Sequence, residues 1–356
     1  MRLIFIIDNE TESYTWKHVI PELGNRGHQV KLIARDCGFT PAILHECGFQ
    51  FDLSEADNSD HFGLFGGLEH LNRCDSLSRL FSPTMFIGSG LDAAITAARL
   101  KKPAILFIDD EHSRFRNRLA SLLGTAILTP DVFKGELGKK QTRIRSYKEL
   151  AYLHPNYFRP DITIFDELKI ARGEKYIILC LSKWNTRHNF GSIGFLYSDE
   201  FKLVSRLGEY AHVFISLEGP LPAPLEKYRL SIPYTRFHHA LYYAQMLVGD
   251  TRTSAVEAAV LSTPSILVNE NVFDSGNIED LNNYGLLFCY RNLGLAINKA
   301  LELIKQPDLK DDWAKRRRKM LAEKIDICLF LADFVENYGG FASSRSHVLQ
   351  NTAGEK

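Results

Sequence analysis

The chain has 356 residues, about twice the usual length of one domain, so we expect two domains. Hydrophobic residues make up 45% of the chain and charged residues 24%, which is enough for two globular cores. Lysine plus arginine number 43, and aspartate plus glutamate also number 43, which argues against a dedicated nucleic-acid-binding protein.

The cysteines and the apolar runs indicate the compartment. None of the six cysteines belongs to a CxxC or CxxH pair, so there is no zinc signature, and we expect reduced thiols. The first apolar run is too short for a signal peptide or a membrane span, and no later run is long enough to cross a bilayer. We therefore expect a cytoplasmic protein.

The first half of the chain alternates short apolar strands with amphipathic helices. The strands are predicted at residues 3–7, 30–34, 49–51, 84–87, 104–108 and 126–129. The helices are predicted at residues 16–26, 40–47, 64–80, 91–100 and 116–123. The polar, basic stretch 137–145 has no period and is predicted to be a loop. This alternation is typical of a mostly parallel sheet with helices on both faces.

A charged, aperiodic stretch at residues 166–175 is predicted to link the two halves of the chain. The second half has strands predicted at residues 176–181, 213–216, 246–248, 265–268 and 286–288. Its helices are predicted at residues 199–209, 237–243, 253–261, 277–283, 293–304, 311–319 and 325–336. We predict an N-terminal domain over 1–165, a C-terminal domain over 176–322, a helix packing back on the N-terminal domain over 323–340, and a flexible tail over 341–356.

The strongest functional signal is the stretch GDTRTSAVEAAVLSTPSILV, Gly249–Val268, which follows an apolar strand and opens a helix. Asp250 or Thr251 can cap that helix and leave backbone N–H groups free to hold a phosphate. Ligands of open α/β sheets bind at the carboxyl ends of the strands, so Gly249 and Asp250 are predicted to contact the ligand.

Three polar residues share one face of the same helix. Thr253, Ser254 and Glu257 are three and four residues apart, while the rest of the helix is apolar. A carboxylate in such a helix is costly unless something donates hydrogen bonds to it, and a ribose diol offers two hydroxyl donors. The other interpretation is a capped core helix with one glutamate at the solvent edge.

This stretch resembles the donor-nucleotide motif of GT-B enzymes, G-x-x-(S/T)-x-x-E-A-x-x-x-G-x-P. Glu257 and Pro264 match the motif, and Ser262 stands where the family usually has glycine. The resemblance implies that Glu257 binds the ribose hydroxyls and that the small residues before it bind phosphate.

Four longer segments resemble the domain of unknown function 354 family: residues 107–113, 148–161, 214–219 and 239–250. Those proteins are predicted to be related to glycosyltransferases and to non-hydrolysing UDP-N-acetylglucosamine 2-epimerases. The resemblance implies the α/β class and the GT-B type, with two Rossmann-like parallel-sheet domains facing a central cleft. We also assign three residues after the second strand of the C-terminal half to donor binding: Ser216, Glu218 and Gly219.

The epimerase resemblance fails at two of its three catalytic positions. Epimerases have a G-D-T turn where this chain has Ser89 between two glycines, so the carboxylate is missing. Their H-V-E-A-G turn corresponds to residues 109–112, which keep acidic groups. Their H-R-R-E-N-F-G turn corresponds to residues 185–191, where Asn185 replaces the catalytic histidine. The residues predicted to line the cleft are Asp8, Asn9, Gly88, Ser89 and Gly90.

The candidate catalytic residues are Asp110, Glu111 and His188. Asp110 and Glu111 follow a strand, where a general base would face an acceptor hydroxyl in an inverting transferase. Acidic residues also favour the first turn of a helix, and that interpretation stays open. Arg187 could neutralise a diphosphate leaving group, and His188 lies beside it. A histidine in a solvent-exposed loop is the alternative for His188.

Basic residues cluster in the N-terminal half of the chain. They are Arg114, Arg116, Arg118, Lys134, Lys139, Lys140, Arg143, Arg145 and Lys148. They could face an anionic membrane or an anionic acceptor at the inner face of the membrane, or form a solvated surface.

The function indicated is a metal-independent glycosyltransferase that uses no cofactor and moves a sugar from a UDP-sugar to a glycan or lipid-linked acceptor. The alternatives are a 2-epimerase-like enzyme and a non-catalytic protein that binds a nucleotide-sugar.

Overall fold

A computed structural model describes residues 1–54, 64–182, 197–217, 219–269 and 274–338. The tail expected over 341–356 lies outside these residues. Within them, no helix is both long and apolar enough to cross a bilayer.

The N-terminal half forms a parallel sheet of seven strands in the order β3-β2-β1-β4-β5-β6-β7. The strands are β1 (Arg2–Ile7), β2 (Gln29–Arg35), β3 (Asp52–Ser54), β4 (Met85–Gly88), β5 (Ala104–Phe107), β6 (Ala126–Pro130) and β7 (Gln141–Ile144). The central strands are continuous apolar runs because helices cover both faces of the sheet. The helices are α1 (Glu10–Trp16), α2 (Val19–Asn25), α3 (Thr40–Glu46), α4 (Leu64–Phe81), α5 (Leu91–Arg99) and α6 (Arg114–Leu123). Two short helices follow, α7 (Leu150–Leu153) and α8 (Ile164–Glu167).

The C-terminal half forms a second parallel sheet of five strands in the order β12-β11-β10-β8-β9. The strands are β8 (Tyr176–Leu181), β9 (His212–Leu217), β10 (Met246–Gly249), β11 (Ser265–Val268) and β12 (Leu287–Tyr290). The helices are α9 (Tyr197–Gly208), α10 (Phe237–Tyr243), α11 (Arg252–Val260), α12 (Gly276–Asn283), α13 (Leu293–Ile304), α14 (Leu309–Glu323) and α15 (Ile327–Glu336). The predicted α/β class with two parallel sheets is therefore confirmed.

Both sheets have a topological switch point, where the strand order reverses and ligands of such sheets bind. In the first sheet the switch lies between β1 and β4, so Asp8 and Ser89 follow neighbouring strands. In the second sheet it lies between β8 and β10, so Ser182 and Asp250 do the same. The topology thus brings the predicted cleft residues and the predicted donor residues to the ligand-binding edges of their sheets.

Three local predictions were wrong. Residues 137–145 are not one loop, because β7 pairs with β6 as an edge strand, which needs only one bonded neighbour and tolerates polar residues. The helix predicted at 16–26 is two helices, and the first begins earlier because Asn9 Oδ1 accepts the backbone N–H of Glu12 at 3.0 Å. The third strand lies at Asp52–Ser54 instead of 49–51.

Residues near the end of the described chain hold the two halves together. Arg26 on α2 pairs with Asp333 at 2.6 Å and Glu336 at 2.9 Å, both on α15. Lys324, just before α15, is buried between the two sheets. Its Nζ lies 2.7 Å from Asp280 Oδ2 on α12 and 3.9 Å from Asp131 Oδ1 after β6.

We expect Lys324→Met to lower the free energy of unfolding by about 3 kcal/mol, because removing one partner of a buried ion pair leaves Asp280 uncompensated. The matched control is Lys315→Met, which breaks an exposed pair with Asp312 and should cost less than about 1 kcal/mol. Urea unfolding followed by circular dichroism measures both changes. If the two variants lose the same free energy of unfolding, Lys324 does not hold the two domains together.

Candidate functional site

The loop after β1 folds back on a buried carboxylate that the sequence did not single out. The backbone N–H of Asp8 donates to Glu12 Oε2, and Asn9 Nδ2 donates to Glu12 Oε1, both at 3.1 Å. Burial and the nearby Asp8 raise the pKa of Glu12 well above its ordinary value. Glu12 thus fixes the loop after β1 from inside the N-terminal half.

Asp8 also belongs to a cluster of charges from four separate segments. His70 Nε2 lies 3.4 Å from Asp8 Oδ1 and 3.6 Å from Asp92 Oδ2. These three residues bring their oxygen and nitrogen atoms within 4.8 Å of one another, a spacing that could hold a metal ion. Arg35 Nη2, however, lies 2.5 Å from Asp92 Oδ2, so a guanidinium already supplies positive charge there. Metal-independent chemistry stays a prediction.

The predicted cleft residues line a cavity of about 360 Å³ in the N-terminal half. Asp8, Asn9, Ser89 and Gly90 form one side of it, and Glu12 lies beside them. Gly90 allows close approach, because an added Cβ would lie 2.9 Å from Asp8 Oδ2. Gly88 is the last residue of β4 and packs against α5, where an added Cβ would lie 2.8 Å from that of Ala93.

The acidic turn after β5 also lines this cavity. Asp109 pairs with the half-buried Lys148 at 2.5 Å. Asp110 accepts the backbone N–H of His112 at 3.1 Å and the hydroxyl of Ser113 at 2.7 Å. Burial raises the pKa of Asp110, but these hydrogen bonds outweigh it and bring the pKa below its ordinary value. Asp110 is therefore ionised at neutral pH.

Glu111 makes a contact between the two halves. Its Oε1 accepts the backbone N–H of Gly276, the first residue of α12, at 2.8 Å. The backbones touch here, since a Cβ added at Gly276 would lie 1.8 Å from the carbonyl oxygen of Val132. Burial raises the pKa of Glu111. Glu111 thus caps α12 across the cleft, a role that the sequence did not indicate.

At the turn before α11, the backbones of two neighbouring strands lie very close together. A Cβ added at Gly249 would lie 2.0 Å from the carbonyl oxygen of Cys180, so only glycine fits. Asp250 accepts the backbone N–H of Ser182 at 2.7 Å and its hydroxyl at 3.1 Å. Thr251 is the N-cap residue, and its side chain makes no capping hydrogen bond. The backbone N–H groups in the first turn of α11 therefore donate no hydrogen bond to the side chain of Thr251.

Glu257 is buried in α11 and is bonded from both halves of the chain. Tyr152 donates its hydroxyl to Glu257 Oε1 at 2.8 Å, and His238 Nε2 lies 3.0 Å from the same oxygen. Tyr14 stacks on Tyr152 at 5.3 Å and meets the edge of His238 at 4.8 Å. The two contacts converge on Oε1 and leave Oε2 on the side of the carboxylate away from them.

A cavity of about 900 Å³ lies between the two halves at this helix. The predicted donor residues that line it are Thr253, Ser254, Glu257, Ser216 and Gly219. Thr11 and Phe39 face them from the N-terminal half, and Phe39 stacks on Tyr234 at 4.5 Å. Its apolar wall is formed by Leu217, Leu230, Ile232, Pro233 and Phe237. The predicted residues Arg187, His188 and Glu218 lie outside the described part of the chain.

A third cavity, of about 180 Å³, has lining residues in common with each of the other two and is called the connecting cavity below. It shares Asp109, Asp110 and Lys148 with the first cavity and Thr253 with the cavity at α11. Its wall includes Glu149, a residue that sequence reasoning missed although it stands in the segment 148–161. Burial raises the pKa of Glu149 to about 7.

No protein-family model and no curated protein matches the chain. Several solved structures, however, are similar to the chain. A protein of Listeria monocytogenes named as a UDP-N-acetylglucosamine 2-epimerase has a TM-score of 0.69 at 12% identity, with 95% of this chain and 96% of that chain covered. The MnaA protein of S. aureus, solved with UDP, has a TM-score of 0.68 at 14% identity, with 95% and 97% covered.

A glycosyltransferase is also similar. The calicheamicin glycosyltransferase has a TM-score of 0.57 at 16% identity, with 95% of this chain and 98% of that chain covered. Because no family model matches, the resemblance to the domain of unknown function 354 family stays a prediction. The similar structures extend over nearly the whole chain and establish the fold, which has two parallel-sheet domains of the GT-B type.

Proposed function

We propose that this protein is a glycosyltransferase that binds a UDP-sugar in the cleft and transfers the sugar to an acceptor hydroxyl. The observation that carries the proposal is the cavity of about 900 Å³ in which Thr253, Ser254 and Glu257 face Thr11 and Phe39. This cavity combines a helix N-terminus, a buried carboxylate and an apolar wall, which suit a diphosphate, a ribose and a base respectively. The similar MnaA structure was solved with UDP, which supports this ligand.

The donor occupies the cavity in a defined direction. The diphosphate lies at the first turn of α11, where backbone N–H groups and the hydroxyls of Thr253 and Ser254 donate hydrogen bonds. The ribose hydroxyls donate to Glu257 Oε2, because Tyr152 and His238 already occupy Oε1. The sugar then points from Thr253 toward the acidic turn, along the connecting cavity.

Asp110 is the proposed general base. It lines both the connecting cavity and the cavity of about 360 Å³, so it lies where the sugar and the acceptor meet. Its lowered pKa keeps it ionised and able to accept a proton. The acceptor oxygen attacks the anomeric carbon while its proton passes to Asp110, and the bond to the diphosphate breaks to release UDP. Arg252, at the start of α11, supports the charge that develops on the diphosphate.

The acceptor is proposed to be lipid-linked, because α6 has the surface of a membrane-binding helix. Phe115 and Leu122 are 80% and 73% exposed and share one face with Arg114 and Arg118. Guanidinium groups beside exposed apolar side chains fit an anionic bilayer. The same helix contributes Arg116, Asn117 and Ala120 to the wall of the cavity of about 360 Å³, which is the proposed acceptor site.

The rest of the basic cluster does not form this face. Lys140 Nζ donates to the carbonyl oxygens of Leu122 and Gly124 at 2.9 Å and 2.7 Å, which completes the end of α6. Arg143 pairs with Glu136 at 2.7 Å, and Lys148 pairs with Asp109. The proposed membrane surface is therefore restricted to α6, and binding to an acidic protein is the outcome that would replace it.

The donor site is tested with UDP. At a concentration a hundred times its dissociation constant, UDP should stabilise the wild-type protein by about 2.7 kcal/mol. Glu257→Ala should lose most of this gain, because the ribose hydroxyls lose their acceptor. Thermal unfolding and calorimetry measure the effect.

Two variants separate ribose binding from domain contact. Tyr152→Phe removes only the hydrogen bond to Glu257 Oε1 and should keep most of the UDP affinity. Glu302→Ala, an exposed glutamate on α13, should change nothing. If Tyr152→Phe weakens UDP binding as much as Glu257→Ala, Glu257 acts through domain closure and the ribose assignment is wrong.

The base is tested by the neighbouring pair Asp110 and Glu111. Asp110→Asn should lower the rate of UDP release from UDP-sugars by at least about a hundredfold without changing UDP affinity, because the general base is lost. Glu111→Gln keeps a carbonyl oxygen for the N–H of Gly276 and should retain most activity. A panel of UDP-sugars is assayed with and without a membrane lipid extract.

If Glu111→Gln lowers the rate of UDP release more than Asp110→Asn does, the general base is Glu111 and not Asp110. Epimerisation has a different signature, because it exchanges the proton at C2 of UDP-N-acetylglucosamine with solvent. Nuclear magnetic resonance in heavy water detects that exchange. Loss of the C2 proton signal without any acceptor would contradict the transferase and favour an epimerase, although Ser89 has no carboxylate to offer.

Membrane docking is tested with vesicles that contain phosphatidylglycerol. The double variant Phe115→Ser, Leu122→Ser should bind them at least about tenfold more weakly than the wild type, since two apolar side chains no longer insert. Leu80→Ser is the matched control, because Leu80 is 81% exposed but lies on α4. Co-sedimentation measures binding. Equal binding of the double variant, or no binding by the wild type, would contradict the membrane surface.

A further inference from the structure

Two residues that line the cavity of about 180 Å³ carry buried polar atoms that nothing in the described part of the protein satisfies. Glu149 is 2% exposed and Asn277 is 5% exposed. Within the described residues, neither Glu149 Oε2 nor Asn277 Oδ1 has a hydrogen-bond partner. Both residues line this cavity, one from each half of the chain. A buried acceptor without a donor destabilises a protein, so two such acceptors in the lining of one cavity call for a ligand with two donors.

The rest of the wall describes the ligand further. Val256 and Ile278 give the cavity an apolar side, which suits the C–H face of a sugar ring. Hydroxyl groups on the edge of such a ring are hydrogen-bond donors for Glu149 and Asn277. A compact ring with an apolar face and hydroxyl donors is therefore the chemistry that fits.

The charges of the wall exclude an anionic ring. The carboxylates that line the cavity are Asp109, Asp110, Glu111 and Glu149, and the cations are Lys148 and Arg252. Lys148 is already paired with Asp109. A carboxylate on the ligand would be repelled in this small cavity by Asp110, which is ionised, and by the ionised fraction of Glu149, which is unfavourable.

We propose that this cavity is the subsite for the glycosyl group of the donor, that Glu149 and Asn277 accept hydrogen bonds from its hydroxyls, and that it takes an uncharged sugar and rejects a uronic acid. This inference rests on the proposed nucleotide-sugar donor and adds the class of sugar. Its position agrees with that role, because Thr253 at the proposed diphosphate site also lines the cavity.

The test compares ligands that share one nucleotide. Calorimetry gives the dissociation constants of UDP, UDP-glucose, UDP-N-acetylglucosamine and UDP-glucuronate. The better of the two uncharged sugar nucleotides should bind the wild type about tenfold more tightly than UDP, which corresponds to about one net hydrogen bond to a charged acceptor. UDP-glucuronate should bind no more tightly than UDP.

The variants assign the effect to the two acceptors. Glu149→Ala and Asn277→Ala should each reduce the tenfold gain to about twofold and leave the affinity for UDP itself unchanged. Glu149→Gln, which keeps one acceptor and removes the charge, should restore part of the gain and narrow the difference between UDP-glucuronate and UDP-glucose. Asn283→Ala is the matched control, because Asn283 lies on α12 but outside the cavity.

Each outcome has a defined meaning. If UDP binds but the sugar adds no affinity, or if the variants keep the full gain, the glycosyl subsite is refuted and the donor site stands. Tighter binding of UDP-glucuronate than of UDP-glucose would also overturn the inference. If UDP fails to bind the wild type, the proposed function falls, and the inference falls with it.

Discussion

One buried carboxylate joins the two halves of the chain at the cleft. Glu257 lies in an otherwise apolar helix, where an unpaired charge would be costly. Its hydrogen bonds come from both halves of the chain, from Tyr152 in the first and His238 in the second. Both hydrogen bonds to this carboxylate therefore form only when the halves are together. The same requirement makes the carboxyl ends of both sheets face one cleft, so a contact that stabilises the fold also forms the walls of the donor cavity.

The fold was predictable because its signals are local. Fully buried parallel strands are continuous apolar runs, and the strand predicted at 176–181 has the bounds of β8. β7 was missed because it is an edge strand rich in polar residues, and only its pairing with β6 makes it a strand. The break between α1 and α2 was missed because the helical pattern continues across it, while the cap at Asn9 moves the start forward.

The site was predictable only in part, for the same physical reason. Thr253 and Glu257 share one helical face, so their spacing in the sequence already places them together. Glu149 and Asn277 line one cavity although they lie in different halves of the chain, and no spacing in the sequence encodes that arrangement. Glu111 was interpreted as a base or a cap from its position after a strand. Its partner, the N–H of Gly276, lies on the other domain, beyond the reach of local patterns.

An acidic cleft would repel the anionic donor that we propose, but the surroundings of the cleft carboxylates reduce this repulsion. Asp109 is neutralised by Lys148. Burial raises the pKa of Glu12 and of Glu111, and it raises the pKa of Glu149 to about 7, so part of the negative charge of Glu149 is absent near neutral pH. Asp110 differs, because hydrogen bonds from the turn lower its pKa and keep it ionised. Carboxylates whose environments push their pKa values apart take different roles, and in the reaction that we propose the ionised Asp110 accepts a proton in a cleft that also admits a diphosphate.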